Sequence, residues 1–154
     1  MMNHSEDPRV VRRANIHDLD RICSLADQLG YPNTIEDMHA RLTAILASPN
    51  QVIFVIDIPG MKTAGYIHAR ETTSLETGEL VEVGGLVVDQ LFRRQGLGKI
   101  LLAAAEEWTM AKGRRLIRLH SNIIRKEAHR FYQDYGYSIN KTQHSFIKKL
   151  DGDP

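Results

Sequence analysis

The stretch RRQGLGK, Arg93 to Lys99, combines residue types that bind phosphate. Gly96 and Gly98 let the backbone turn tightly with its amides exposed. The amphipathic pattern that follows predicts a helix whose first-turn N–H groups lack intrahelical partners. Arg93, Arg94 and Lys99 surround those amides with positive charge, and Gln95 and Leu97 complete the turn. The chemistry on offer is capture of an anion by backbone dipoles and cations. The same residues also suit a plain glycine-rich turn with a basic surface, so the ligand must be argued from what surrounds them.

Two common phosphate sites do not fit. A P-loop needs GxxxxGK followed by Ser or Thr, but Ile100 follows Lys99 and the earlier glycine is missing. A dinucleotide fingerprint needs a third glycine where Leu101 stands. The histidines show no zinc-like spacing, and Cys23 is the only cysteine, so neither a metal centre nor a disulfide framework is expected. Cys23 falls on the apolar face of a predicted helix and reads as a small core hydrophobe.

The elements that must position the turn follow from periodicity. Val10 and Val11 form a short strand, Asn15 caps a helix running from Ile16 to Leu29, and Ile35 to Leu46 repeats the helical pattern before Pro49. Val52 to Ile58 is nearly continuous in apolar residues, as a strand buried on both faces would be. Thr63 to Thr72 and Glu79 to Val88 read as two more strands, and short turns make this half an antiparallel meander. Leu97, Leu101, Ala104, Trp108 and Ala111 then mark the clearest helix, with Trp108 in the core and Gly113 as its stop. A strand from Leu116 to Leu119, a helix from Ile124 to Tyr135 and strand material from Tyr137 to Leu150, broken near Lys141 to Gln143, complete the chain, and the DGDP tail reads as frayed. The fold class is α/β with a mixed, mainly antiparallel sheet of six to seven strands and about four helices. The element order is β-α-α-β-β-β-α-β-α-β-β.

A length of 154 residues fits one domain, placed at residues 9–150. The formal net charge of +1 gives no global reason to expect nucleic acid. The polar MMNHSEDPR start lacks the apolar centre of a signal peptide, and no run approaches the ~20 apolar residues of a membrane span. A cytoplasmic protein without membrane or nucleic-acid partners is expected.

Taken together, Arg93-x-x-Gly96-x-Gly98 after LVVD (Leu86 to Asp89), and SNIIRKEAHRFYQDYGY (Ser121 to Tyr137) about 25 residues further on, resemble the two signatures of the GNAT superfamily of acyl-CoA-dependent N-acetyltransferases. The likeness covers nearly the whole chain. It implies that Arg93 to Lys99, with Asn122 and Arg125, binds coenzyme A, and that a backbone N–H on Leu86, Val87 or Val88 receives the acetyl oxygen. Acetyl-CoA is then the co-substrate, and a homodimer is among the assemblies implied.

Acetyl transfer needs a neutral amine. A lysine-like ammonium with pKa ~10.4 is neutral in only about one molecule in ~2,500 at pH 7, a gap of roughly 4.6 kcal/mol. Glu82 interrupts the apolar run Val81, Val83, Leu86 and Val87, at a point where family members often carry an acid, and is the candidate base. Glu79 and Glu71, nearer strand ends, are weaker candidates. Gly84-Gly85 predicts a bulge or splay beside it. Tyr132 matches the tyrosine that faces the coenzyme sulfur in many family members and is the candidate donor to the leaving thiolate, whereas Phe131 reads as packing. By the same resemblance Gln28, Tyr31 and His68 lie near the acceptor. The small bacterial members it most resembles, aminoalkylphosphonate acetyltransferases among them, point to a small primary amine. A protein acceptor, a non-catalytic acyl-CoA sensor and a nucleic-acid binder are the competing readings.

Overall fold

A computed structural model describes residues 9–60 and 63–151; the polar start and the last residues of the DGDP tail lie outside them. The chain divides into two compact units, one reaching His120 and one beginning at Ser121.

The first unit is built on strands β1 (Val10–Arg13), β2 (Gln51–Asp57), β3 (Thr63–Ser74), β4 (Gly78–Val88) and β5 (Ile117–Leu119), which lie side by side in that order. The first four pair antiparallel, as short turns require, and β5 pairs parallel to β4. That parallel return is made by α3 (Leu97–Ala111).

Helix α1 (Leu19–Gln28) is preceded by one 3-10 turn, Ile16–Asp18, where Asn15 and Asp18 cap each other's backbone in a capping box. Helix α2 (Ile35–Leu46) is capped by the Thr34 hydroxyl, which accepts from the Asp37 N–H. Ile22, Leu25 and Leu42 from these helices pack with Ile53, Val55, Tyr66 and Val87 on one sheet face. On the other face α3 buries Leu97, Leu101, Leu102, Ala105 and Trp108. A central strand covered on both faces explains the near-continuous apolar run of β2.

The register of β3 against β4 slips between His68 and Ala69: His68 faces Gly85, Ala69 faces Val83, and Gly84 is the extra residue. The bulge expected at Gly84-Gly85 is therefore present. A Cβ on Gly84 would stand 2.9 Å from His68 Nδ1, so the bulge takes its shape around that imidazole.

In the second unit helix α4 (Lys126–Asp134) groups Phe131 with Tyr132 and Tyr135, at ring centroid distances of 5.3 and 5.0 Å. The strand material expected from Tyr137 to Leu150 is not found: five strands occur among the described residues, and Ile139, Phe146, Ile147 and Leu150 are exposed. Ile139, Thr142, Phe146 and Ile147 are residue types that favour extended backbone. A strand also needs a neighbour for its N–H and C=O groups, which local sequence does not supply.

Candidate active site

Strand β4 carries most of the candidate chemistry in the first unit. Glu82 lies opposite Arg70 on β3 and Arg118 on β5, so period-2 alternation puts all three side chains on the sheet face that α1 and α2 cover. Glu82 is buried, 8% exposed. Its Oε2 accepts from Arg70 Nη2 at 3.1 Å, and its Oε1 accepts from His120 Nε2 at 2.6 Å and Arg118 Nη2 at 3.5 Å. Burial alone would push this carboxyl up, but the Arg70 and His120 hydrogen bonds outweigh it and hold Glu82 below the usual carboxylate range. Glu71 and Glu79 fall on the opposite face, where Arg114 pairs with both.

Further along β4 the edge facing β5 opens. β5 pairs only with Val81, Glu82 and Val83, and among the described residues no strand pairs with Gly84 to Val88 on that side. The Asp89 N–H donates to Ala64 O on β3, so alternation turns the amides of Val88 and Leu86 toward the open edge and that of Val87 toward β3. Of the three residues expected to donate to an acetyl oxygen, Leu86 and Val88 have the right direction.

The strand then enters the glycine turn. Asp89 is buried, caps the 3-10 turn Gln90–Phe92 by accepting from Leu91 N, and pairs with Arg21 at 2.9 Å. Gln28, at the end of α1, accepts from the Gln90 N–H at 3.0 Å and so ties that helix to the loop. Gly96 is the N-cap of α3 with φ of 80°, a conformation that needs glycine, and Arg94 also has positive φ, 63°. The N-cap has no side chain to satisfy the first-turn amides, which is the geometry that accepts phosphate. Arg93 Nε donates to Val88 O at 3.1 Å, and Arg9 Nη1 donates to Gln95 O at 2.6 Å, adding a fourth cation beside Arg93, Arg94 and Lys99.

The other expected site residues are distributed as follows. His68 lies on β3 beside the bulge and donates from Nε2 to Gln51 Oε1 at 2.8 Å, while Tyr31 is exposed in the turn after α1. Tyr132, Asn122 and Arg125 belong to the second unit. Burial raises the Tyr132 phenol pKa above its ordinary value, with Arg125 pulling the other way, so the side chain holds its proton at neutral pH. Asn122 Oδ1 accepts from the Ile124 N–H at 3.1 Å, an Asx turn leading toward α4.

Residues 16–137 match the model of the acetyltransferase (GNAT) family. The chain belongs to that family. It is 32% identical to an aminoalkylphosphonate N-acetyltransferase of Salmonella typhimurium, over 97% of this chain and 99% of the relative. It is 31% identical to the uncharacterized N-acetyltransferase YhdJ of Bacillus subtilis, over 68% of this chain and 74% of the relative. The aminoglycoside N-acetyltransferase AAC(6')-Iy, solved with CoA, shares the fold, with a TM-score of 0.84, 20% identity and coverage of 97% of this chain and 100% of that one.

This acetyltransferase holds groups near Glu82 that local sequence did not single out. Arg70, Arg118 and His120 are brought together only by the β3–β4–β5 register, and Arg9 reaches the turn from the far end of the chain. The signal that could have found the first three is the polar residue at matching parity on each strand.

His68 should make the stability of this GNAT protein pH-dependent. Burial, then the Arg70 charge, lowers its pKa to about 4 from 6.5. The unfolded chain takes up that proton below 6.5 while the folded chain does not until about 4, so stability is full above 6.5 and falls as pH drops between these values. Glu82, with an ordinary value of 4.5 and a lower folded one, adds its own loss below 4.5. A melting-temperature series should slope down from pH 6.5 to 4.5, and His68→Gln should flatten that slope. Equal slopes would refute the assignment.

Proposed function

We propose that the protein moves the acetyl group of acetyl-CoA to a small primary amine that carries an anionic group. One arrangement supports the reading: β4 leads from the Glu82 cluster, past the outward amides of Leu86 and Val88, to the cationic amide turn that caps α3. Acetyl transfer needs a proton acceptor, an oxyanion donor and a phosphate cradle, and these three would be served by consecutive parts of one strand and its following turn.

In this reading the turn and its cations hold the pyrophosphate. The amine attacks the thioester carbon directly, an open-edge amide stabilises the oxyanion, and the Glu82 cluster accepts the ammonium proton. Tyr132 protonates the leaving thiolate. The preference for an anionic acceptor comes from charge: two guanidinium groups, Arg70 and Arg118, face the single carboxylate of Glu82, leaving one positive charge in excess. The likeness to an aminoalkylphosphonate N-acetyltransferase supports the same choice.

The test is thiol release from acetyl-CoA across aminoalkylphosphonates, amino acids, aminoglycosides and peptide amines. Acetyl-CoA should raise the melting temperature, and amines bearing phosphonate or carboxylate should be acetylated fastest. Arg70→Ala should raise KM for those acceptors more than for neutral amines. Thermal protection by acetyl-CoA without turnover of any amine would favour a binding module instead.

A further inference from the structure

The geometry points to His120, anchored by Glu82, as the group that takes the proton from the attacking amine. This rests on the acetyl-transfer reading and names the atom that contacts the acceptor within it.

The two side chains differ in access. His120 Nε2 and Glu82 Oε1 are 2.6 Å apart, yet the histidine side chain is 62% exposed and the glutamate 10%. Both Glu82 oxygens are already engaged, by Arg70 from β3 and by Arg118 and His120 from β5 and the residue after it. A carboxylate that is buried and doubly ion-paired is a poor proton acceptor and has little surface for a substrate. The imidazole has that surface. Because an ionised carboxylate can only accept, the bond fixes the proton on Nε2 and leaves the Nδ1 lone pair for the amine.

Register supports the same assignment. Leu119 lies opposite Val83, so His120 follows at the level of Gly84, closer than Glu82 to the outward amides of Leu86 and Val88. At about 3.3 Å per residue, and with the bulge setting the β3 partners of Glu82 and Leu86 three residues apart, Leu86 is roughly 10 Å along the sheet from Glu82 but about 5 Å from the level of His120. A proton acceptor for an amine attacking a carbonyl held at those amides is better placed at His120.

The step balances. One proton of the ammonium passes to Nδ1 and then to solvent. The neutral nitrogen forms the C–N bond, the C–S bond breaks, and the second proton shed by nitrogen offsets the one that the departing thiolate takes up. Glu82 acts through His120 as a positioning residue, fixing its tautomer and stabilising the imidazolium.

The experiment compares wild type with His120→Ala and Glu82→Gln, using the best amine of the panel across pH. His120→Ala should lower kcat/KM at pH 7 by about 10²-fold, with the deficit shrinking as pH rises toward the amine pKa and added imidazole restoring part of the rate. Thermal protection by acetyl-CoA should be unchanged. Nitrogen-15 NMR of the His120 ring should show a protonated Nε2 and a lone-pair Nδ1 in wild type, and loss of that preference in Glu82→Gln. An active wild type whose His120→Ala variant keeps the same rate and pH profile, or a ring protonated at Nδ1, overturns the inference alone. A wild type that releases no thiol with any amine overturns the acetyl-transfer reading and the role of the dyad with it.

Discussion

Glu82→Gln should lower turnover at pH 7 by about 10²- to 10³-fold and regain part of it above pH 9, where more of the amine is already neutral. The carboxylate holds His120 at 2.6 Å and offsets two guanidinium groups, so removing its charge disturbs proton transfer and the local field together. Stability should fall as well. Hydrogen bonds to charged groups contribute about 1.5–3 kcal/mol each, and partial exposure of Arg70 and Arg118 lets water recover much of that, so a net loss of about 1–2 kcal/mol is expected. For a domain of this size that is a drop of roughly 2–8 °C in melting temperature. Glu82→Asp separates the two effects: it retains the charge for the arginines but withdraws the oxygens from His120 by one methylene. It should therefore stay near wild type in melting temperature while losing most of its rate at neutral pH. A Glu82→Gln protein with an unchanged pH profile would remove this carboxylate from the reaction.

Much of this was legible in the chain because it depends on local rules. Asn15 caps the 3-10 turn that leads into the helix expected after it, Gly84-Gly85 makes the bulge, and Gly96 adopts the left-handed conformation that only glycine takes readily. Glu82 was found as an acid breaking an apolar run, but its burial was not: a glutamate on a strand faces water unless neighbouring strands bring partners to it. Those partners, Arg70 on one strand and Arg118 with His120 on another, come from two separate stretches of sequence, and only the pairing register places them within reach of one carboxylate. The same limit explains the misread after Tyr137. Strand propensity is local, whereas a ladder is a property of two strands, and residues 138–150 contain the first without the second.

Gly65→Ala should be the most damaging substitution of a small residue in the first unit, although Gly65 lies outside both sequence signatures. It sits on β3 opposite Val88, beneath α3, and a Cβ there would be 2.7 Å from Val87 O, 3.2 Å from Leu101 Cδ1 and 3.3 Å from Val88 Cα. The closest of these is backbone. Leu101 could rotate aside, but Val87 O can retreat only by moving β4, and α3 packs too tightly against the sheet for that to be absorbed. Overpacking of this kind costs about 1–3 kcal/mol, and the backbone clash puts this case at the upper end, near 3 kcal/mol or roughly 6–12 °C in melting temperature. The displacement would also reach function. Val88 begins the approach to the glycine turn, and its outward amide is one of the two proposed to receive the acetyl oxygen. Acetyl-CoA should thus protect Gly65→Ala less than wild type against heat, and kcat should fall in protein that remains folded. A Gly65→Ala protein with wild-type melting temperature and wild-type protection would mean that β4 can shift freely at this point, and would contradict the close packing of α3 on the strand that carries the site.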